Sequence, residues 1–355
     1  MNFVKRIRNL QNYIREKDLD LLIIEDPISL LYLTGLSLTS AKLFIGTLNS
    51  KLFVDGRYIQ AALESNTIDV GLINEKALYE FICQNEIKKA AFDADVVTYH
   101  NYERLKVFFE KIKCINVSDI QITALYNPLR DFRVIKDSDE IFIMKKSAEL
   151  TWRGFEHISL ILKEGITEME VAFEFENFVK KHGADSLAFN PIICFGKNSA
   201  KPHHVPSNNK LSLNDIVLID IGVSVQNYKS DMTRVLFFGK PDPVLDKMYS
   251  ITKRAQAAAL SLCRPGSKLK DLDLAARKVL QEENYEKEFL HSLGHGVGLE
   301  IHEFPRIRFD NEDKDVYLKA GMIITIEPGI YVQDLGGVRY EDTILITNDG
   351  YENFF

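Results

Sequence analysis

The chain has 355 residues, of which 46% are hydrophobic and 27% are charged, and its formal net charge is −7. This length exceeds the roughly 250 to 300 residues that one hydrophobic core supports, so two domains are expected. An acidic chain without a basic stripe is not typical of a nucleic-acid-binding protein, and small or neutral partners are expected instead.

The first predicted element is an amphipathic helix, in which Phe3, Ile7, Leu10 and Ile14 recur at helical spacing. Basic residues surround it and no apolar signal segment follows, so it is not a signal peptide. No apolar run approaches the roughly 20 residues that span a bilayer. The four cysteines are widely spaced and fit neither a zinc ribbon nor a dense disulfide framework. We therefore expect a soluble, cytoplasmic protein that does not bind membranes.

The pattern of elements changes near Pro128. Residues 1–127 alternate helical patterns with short apolar runs, which is typical of an α/β domain. Pro128 lies in a segment of dense mixed charge that predicts a domain boundary, so the expected domains are 1–127 and 128–355. In the second domain, helices are predicted at about 139–164, 167–183, 243–263 and 267–285, and strands at about 190–195, 215–223, 231–238, 321–332 and 338–347. This order predicts an α+β fold whose helices cover one face of a largely antiparallel sheet.

An aspartate lies at the centre of the most apolar strand pattern in the second half. Asp220 is flanked by isoleucines and other apolar residues, and a carboxylate inside a buried strand loses hydration unless a positive group compensates it. The next residues predict a turn, so a hairpin would bring Asp231 beside Asp220. The pair indicates either a metal site or a salt-bridged core aspartate next to a turn aspartate, and the hairpin alone leaves both open.

Two further carboxylates accompany apolar strand patterns near the C terminus. Glu327 ends the apolar run in GMIITIEPGIYV. Glu341 begins another strand, with Arg339 two residues earlier and therefore on the same face. Both carboxylates are thus predicted where water is scarce.

The segment HSLGHGVGLEIHE contains His291, His295 and His302. Its glycines disfavour a helix, so the first two histidines are not a helical i, i+4 pair. We expect a loop that approaches another part of the molecule closely.

Four carboxylates and one imidazole form a candidate metal site. They are Asp220, Asp231, His295, Glu327 and Glu341. This oxygen-rich set suits manganese, cobalt, iron or zinc rather than a thiolate-bound metal. Its formal charge of about −4 would balance two divalent ions, and without them the carboxylates would repel one another and take up protons. A single histidine would more often be a core residue, but five suitable groups favour a metal site.

The chain resembles the pita-bread metallopeptidases, which include methionine aminopeptidase, Xaa-Pro aminopeptidase and prolidase. The resemblance lies in the order Asp, Asp, His, Glu, Glu and in the motifs IDIGV with SDMTR, LGHGVGLEIHE, IEPGIY and VRYED. The stretches YLTG, VDGRY and RVIKDSDEI resemble the additional N-terminal domain of the Xaa-Pro branch. The resemblance implies a creatinase-like α/β domain followed by a pita-bread catalytic domain with a curved, largely antiparallel sheet covered by helices.

The resemblance implies a role for each ligand. Asp220 would hold one ion and His295 and Glu327 the other, while Asp231 and Glu341 would bridge both. Two ions about 3.5 to 4 Å apart can share a water and lower its pKa toward about 7, so a metal-bridging hydroxide is the expected nucleophile. Glu327 is the expected proton carrier. Manganese is the expected metal, and cobalt, zinc and iron are alternatives.

Residues outside the ligand set also match the Xaa-Pro branch. His203, His291 and His302 match positions that line the substrate site and donate hydrogen bonds to the peptide carbonyl and the developing oxyanion. Arg339 matches a branch-specific arginine that orients Glu341 or the substrate.

Three other residues are weaker candidates. Thr233 is expected to orient Asp231, because it lies on the same strand face. His204 is expected to be a loop residue, and Tyr228 is a weaker candidate for the substrate site.

The leading hypothesis is a dimeric aminopeptidase that releases the N-terminal residue from peptides with proline second. Prolidase, which splits only Xaa-Pro dipeptides, is the alternative, because both enzymes share these motifs. A relative without metals, which serves as a binding scaffold or hydrolyses creatine, is less well supported because all five ligands are present.

Overall fold

The computed structural model describes residues 1–65, 67–114, 117, 119–310 and 316–355. It divides into two compact units, Met1–Arg133 and Val134–Phe355, a few residues beyond the predicted boundary at 127/128. Within the described residues, none of the helices combines the length and the apolar character needed to cross a membrane.

The first unit contains a six-stranded mixed sheet with helices between its strands. Its elements are α1 Phe3–Glu16, β1 Leu21–Ile24, α2 Pro27–Thr34, β2 Ala41–Gly46, β3 Ser50–Val54, α3 Ile59–Ser65, β4 Asp69–Leu72, α4 Glu75–Gln84, β5 Lys89–Asp93, α5 Tyr99–Glu110, β6 Gln121–Leu125 and α6 Arg130–Arg133. The strand order is β4-β3-β2-β1-β5-β6. β1 pairs antiparallel with β2 and parallel with β5, so all four of its residues are buried at the centre of the sheet.

A disulfide joins Cys83, near the end of α4, to Cys114. The cysteine spacing does not predict this bond. The spacing of the cysteines argued against a dense framework, and one isolated disulfide leaves no such pattern in a sequence. Cys194 and Cys263 are free and buried.

The second unit consists of antiparallel strand pairs with four long helices. Its helices are α7 Ser138–Ile161, α8 Glu168–Lys181, α9 Pro243–Leu260 and α10 Leu269–Glu282. Asp137 and Thr167 cap α7 and α8 through capping boxes, the second of which pairs Thr167 with Glu170. The apolar faces of α9 and α10 pack in the same core as the strands that carry Asp220 and Glu327.

The strands of the second unit form several short sheets. They are β7 Ser186–Leu187, β8 Ile192–Phe195, β9 Ile216–Ile221, β10 Val223–Val225, β11 Tyr228–Lys229, β12 Met232–Phe237, β13 Gly294–Gly296, β14 Glu303–Ile307, β15 Ile323–Ile326, β16 Gly329–Val332, β17 Gly336–Arg339, β18 Asp342–Ile346 and β19 Tyr351–Asn353. The strand orders are β11-β10-β7, β12-β9-β8, β14-β13-β15-β18-β19 and β16-β17. The predicted strands 321–332 and 338–347 are therefore each divided in two.

The predicted hairpin after Asp220 is present. β10 and β11 meet with Val225 opposite Tyr228. The turn residues Gln226 and Asn227 have φ values of 48° and 69°, as a two-residue turn with positive φ at both positions requires. The chain therefore reverses within a few residues and returns as β12 beside β9.

Candidate metal centre and active site

Asp220 and Asp231 enter the site from the hairpin. β9 and β12 pair antiparallel, with Thr233 opposite Asp220, and Asp231 directly precedes β12. Both aspartates are buried. The register of one strand pair thus brings together two carboxylates that lie eleven residues apart in the sequence.

The other three predicted ligands lie on the neighbouring sheet. His295 is the central residue of β13, Glu327 directly follows β15 and Glu341 directly precedes β18. Because β15 pairs antiparallel with β18, Glu327 and Glu341 emerge from the same end of this strand pair. An isolated bridge between Thr233 and Glu341 joins this sheet to β12.

Four of the five predicted ligands lie close together. One ligand atom from each of Asp231, His295 and Glu341 lies within 4.8 Å of the others. His295 Nε2 is 3.6 Å from Asp231 Oδ2 and 3.4 Å from Glu327 Oε1. These separations leave room for a cation between the ligand atoms.

His295 presents the form that binds metals. Its Nδ1 is 3.0 Å from the carbonyl oxygen of Gly296, which can only accept, so Nδ1 carries the hydrogen and Nε2 directs a lone pair at the carboxylates. Burial, with a smaller contribution from His302, lowers the pKa of His295 from 6.5 to about 4. The ring is therefore neutral at pH 7, as a metal ligand must be.

Asp220 has an unsatisfied oxygen. Arg339 donates to its Oδ2 at 2.5 Å, whereas its buried Oδ1 has no hydrogen-bond partner in the part of the chain that the structure describes. A buried carboxylate oxygen without a donor is costly, and a metal ion would satisfy it. The residues present therefore fit a cation.

The carboxylates also need positive charge. Burial and the neighbouring Glu341 and Asp220 hold the pKa of Asp231 well above its usual range. Burial and Glu341 do the same for Glu327, and burial and Asp220 raise the pKa of Glu341. Divalent cations would relieve this repulsion.

Arg339 and Thr233 have different contacts from those predicted. Arg339 pairs with Asp220 and donates to Thr233 Oγ1 at 2.9 Å, instead of contacting Glu341 directly. Thr233 Oγ1 then donates to Glu341 Oε2 at 2.6 Å. The expectation that Thr233 orients Asp231 is wrong, because the backbone bridge to Glu341 places the hydroxyl beside that carboxylate.

Both ring nitrogens of His291 already have partners. Nδ1 is 2.8 Å from the carbonyl oxygen of Ser292 and therefore donates. Arg339 donates to the hydroxyl of Tyr331 at 2.7 Å, so that hydroxyl donates its own hydrogen to His291 Nε2 at 2.9 Å. Burial, followed by the charge of Arg339, lowers the pKa of His291 to about 3, so the ring is neutral. His291 thus holds Tyr331 and has no free N–H for a substrate.

The ligands line a cavity of about 640 Å³. His203 and His302 line the same cavity, and the ring centroid of His302 is 4.4 Å from that of His295. The other lining residues include Phe189, Asn190, Ile192, Pro202, His204, Val205, His291, Ser292, Ile301, Glu303, Arg306 and Arg339. The cavity can therefore place a molecule against both the ligands and the histidines.

Two weaker candidates have structural contacts. Tyr228 is buried and donates to Glu140 Oε1 at 2.8 Å, and it is not among the residues that line the cavity. His204 lines the cavity, but its Nε2 is 2.8 Å from Glu168 Oε2. His204 is therefore a loop residue with a specific partner.

Tyr331 and Glu168 were not identified from the sequence. Tyr331 belongs to IEPGIY, and a strand period of two would have placed it on the face of Gly329. Glu168 lies inside the capping box, where an acidic residue is ordinary and carries no further signal.

The chain is similar to known peptidases over nearly its whole length. Metallopeptidase family M24 matches residues 143–348, and the creatinase/prolidase N-terminal domain matches residues 6–135. The Xaa-Pro dipeptidase of Pyrococcus furiosus is 35% identical over 347 residues, which cover 98% of this chain and 96% of that protein.

Solved structures show the same likeness. The Xaa-Pro dipeptidase from Bacillus anthracis superposes with a TM-score of 0.92 at 30% identity, over 99% of this chain and 97% of that one. The X-Pro aminopeptidase from Thermotoga maritima superposes with a TM-score of 0.88 at 29% identity, over 97% of each chain.

The likeness confirms the predicted fold, a creatinase-like N-terminal domain followed by a pita-bread catalytic domain. Family membership also implies that the protein uses divalent metal ions. With two family matches that together span both units, the chain belongs to the Xaa-Pro peptidase branch of metallopeptidase family M24.

Proposed function

We propose that the protein is an Xaa-Pro dipeptidase that uses two divalent metal ions. The observation that carries this proposal is the convergence of four carboxylates and His295 in a cavity that His203 and His302 also line. Manganese is the proposed metal because the ligands are mainly carboxylate oxygens. A homodimer, as expected from the resemblance, is part of the proposal.

Asp220, Asp231, His295, Glu327 and Glu341 would hold the ions, as the motif implies. Bound divalent ions would supply Lewis acidity and would lower the pKa of water toward neutrality. Glu327 would accept a proton and pass it to the leaving nitrogen. Its Oε1 lies 3.4 Å from His295 Nε2, so the carboxylate is placed at the cluster where this exchange would occur.

His203 and His302 are the proposed substrate contacts. Both line the cavity, and the ring of His302 lies beside that of His295. An imidazole N–H at this place can donate to a peptide carbonyl or to the oxyanion that develops from it. His291 is instead a support for Tyr331, because both of its nitrogens are engaged.

The choice of a dipeptidase departs from the aminopeptidase that the sequence analysis favoured. The relatives named Xaa-Pro dipeptidase support the alternative of that analysis better than its leading hypothesis. Arg306 adds a physical reason. It lines the cavity with an exposed side chain, and its Nε donates to Ser292 Oγ at 2.7 Å. Such a cation would pair with the C-terminal carboxylate of a dipeptide, which a longer peptide lacks at that position.

An aminopeptidase is the second candidate. The Thermotoga maritima structure covers nearly the same share of the chain, at nearly the same identity, as the dipeptidase structure. Both candidates share the scissile Xaa-Pro bond and differ in whether the proline must carry a free carboxylate.

The test compares three substrates at equal concentration with manganese-loaded protein: Ala-Pro, Ala-Pro-Ala-Ala and Met-Ala-Ala. We expect cleavage of Ala-Pro alone. Cleavage of the tetrapeptide would favour the aminopeptidase, and preference for Met-Ala-Ala would contradict both candidates. Absence of hydrolysis with metal bound would support the binding scaffold.

Arg306→Ala tests the carboxylate contact. We expect kcat/KM for Ala-Pro to fall roughly 10- to 100-fold, the usual worth of a hydrogen bond to a charged group. The amide Ala-Pro-NH2 lacks the carboxylate and should be a poor substrate of the wild type, and its residual kcat/KM should change little in Arg306→Ala. The control is Arg264→Ala, which removes an exposed arginine that does not line the cavity. An equal loss on both substrates would contradict the assignment.

A further inference from the structure

Glu168 is a fully buried carboxylate in the first turn of α8. Its Oε1 accepts from the backbone N–H of Phe195 and from Asn198 Nδ2, both at 2.9 Å. Its Oε2 accepts from His204 Nε2 at 2.8 Å, and from the N–H and hydroxyl of Ser207 at 3.0 and 2.7 Å. All of these donors lie in residues 195–209, which we call the anchored segment.

The anchored segment borders the cavity. Pro202, His203, His204 and Val205 line it, and His203 directly precedes the histidine that binds Glu168. The segment begins at the end of β8, where Phe195 pairs with Val217 of β9. Glu168 therefore fixes the chain on both sides of His203.

The segment is also fixed to the strand of Arg339. Ser199 Oγ accepts from the N–H of Gly337 at 2.8 Å, and a Cβ on Gly337 would lie 2.3 Å from the backbone oxygen of Ser199. Gly337 belongs to β17, which ends at Arg339. Residues 195–209 are thus held between α8 and a strand of the proposed site.

Glu168 is held as an anion. Burial alone would raise its pKa, but the hydrogen bonds from His204, Asn198, Phe195 and Ser207 outweigh burial and keep the pKa of Glu168 below its usual range. An ionised carboxylate only accepts, so His204 Nε2 carries the hydrogen of that bond. Charge-assisted bonds of this kind are stronger than neutral ones and fix geometry more tightly.

Helix capping does not account for this arrangement. The cap of α8 is complete without Glu168, because Thr167 and Glu170 form the reciprocal capping box. Burying a carboxylate costs free energy. The hydrogen bonds that Glu168 accepts in return fix the conformation of residues 195–209.

We propose that Glu168 is a positioning residue, whose buried carboxylate holds the anchored segment so that His203 faces the substrate. This inference rests on the proposed function, because it takes His203 as a substrate contact. Glu168 itself does not line the cavity and acts through the segment.

The test variant is Glu168→Gln, which keeps the size of the side chain but turns an N–H donor toward groups that also donate. The matched control is Glu170→Gln, two residues along the same helix, because glutamine also completes a capping box. We expect Glu168→Gln to lower kcat for Ala-Pro on the order of 100-fold, as a small misplacement of a catalytic group does. KM and bound manganese should change little, and the control should match the wild type.

A double-variant comparison separates positioning from general destabilisation. If Glu168 acts through His203, adding Glu168→Gln to His203→Ala should lower kcat for Ala-Pro by less than about threefold further. The contact between His203 and the substrate is already absent in that background. A full additional 100-fold loss would overturn the proposal, and so would a Glu168→Gln variant with wild-type kcat.

Hydrogen exchange gives a readout independent of activity. Amides of residues 195–209 should exchange at least tenfold faster in Glu168→Gln than in Glu170→Gln, with manganese present in both. Unchanged exchange would overturn the anchoring role. A wild-type protein that hydrolyses no Xaa-Pro substrate would instead overturn the proposed function, and the exchange result would still decide whether Glu168 anchors the segment.

Discussion

The surroundings of each carboxylate in the cluster determine what that carboxylate can do. Asp220 faces Arg339, which donates to one of its oxygens. Glu341 is held by the hydroxyl of Thr233. Asp231 faces mainly other carboxylates, and burial and their charge raise its pKa. Asp231 therefore depends most on a bound cation, whereas His203 is the proposed substrate contact in the same cavity.

This difference predicts two classes of variant. Asp231→Asn keeps the shape of the side chain and removes its charge, and it should lower manganese affinity by at least about 100-fold. A loss of about 100-fold is the upper end for changing a residue that contacts a metal ligand rather than the metal itself. His203→Ala should keep its metal and lose on the order of 100- to 1000-fold in turnover. Elemental analysis after dialysis and steady-state kinetics provide the measurements.

Asp271→Asn is the control for these variants, because it makes the same change at an exposed position of α10. It should match the wild type in metal content and turnover. A His203→Ala protein that has lost its metal would show that the division between ligands and substrate contacts is mistaken.

Sequence patterns indicate the candidate ligands because each of them is an exception to its local pattern. Asp220 interrupts an apolar strand, and the hairpin signal correctly brought Asp231 beside it. The contacts of His291 could not be predicted, because they depend on Tyr331 and Arg339, which reach it only after β16 and β17 have paired.

At the scale of elements, the ligands lie where strands change partner. The apolar pattern at 321–332 predicts one strand, but the chain leaves β15 at Glu327 and joins a different sheet as β16. In the same way, Glu341 separates β17 from β18. The apolar pattern is continuous across both breaks, so it does not reveal them. At each break, the carboxylate lies just outside the paired part of the strand and lines the cavity.

The glycines around His295 show a second limit of prediction from the sequence. They were expected to form a loop in close approach, and the close approach is real, but the backbone is a strand. A Cβ on Gly294 would lie 2.0 Å from the backbone oxygen of Thr325, and one on Gly296 would lie 2.3 Å from that of Phe304. The glycines let β13 lie against its neighbours, which fixes His295.

Gly294→Ala should therefore displace β13 and weaken the metal site. Overpacking of this kind typically costs about 1–3 kcal/mol. We expect a lower melting temperature together with reduced manganese affinity, measured by thermal unfolding and metal titration. Gly350→Ala is the matched control, because a Cβ there meets nothing within 4 Å. Wild-type metal affinity in Gly294→Ala would contradict the view that backbone contact positions His295.

At the scale of the whole molecule, length and the change of pattern near Pro128 anticipated two units, and each has its own core. The disulfide in the first unit could not be anticipated, because Cys83 and Cys114 are 31 residues apart and meet only when α4 and the segment after α5 have packed. Spacing alone carries no signal for such a pair.

The single tryptophan offers a way to follow the second unit alone. Trp152 lies on α7, with Arg234 5.8 Å from its ring. Arg234 in turn donates to the carbonyl oxygen of Glu341 and to Asp342 Oδ1, both at 2.6 Å. The fluorescence of Trp152 should therefore report unfolding of the unit that binds metal.

Manganese should raise the melting midpoint seen by Trp152, because it binds the native cluster better than the unfolded chain. A ligand present at 100 times its dissociation constant raises the free energy of unfolding by about 2.7 kcal/mol. The melting temperature of a domain of about 150–250 residues rises by about 2–4 °C per kcal/mol, so a rise of roughly 5–10 °C is expected. Chelation should reverse it. The variant Cys83→Ser/Cys114→Ser, whose lost disulfide lies in the other unit, should leave this rise unchanged. A melting midpoint that does not change with manganese would contradict the metal site itself, since the four clustered carboxylates would then be stable without a cation.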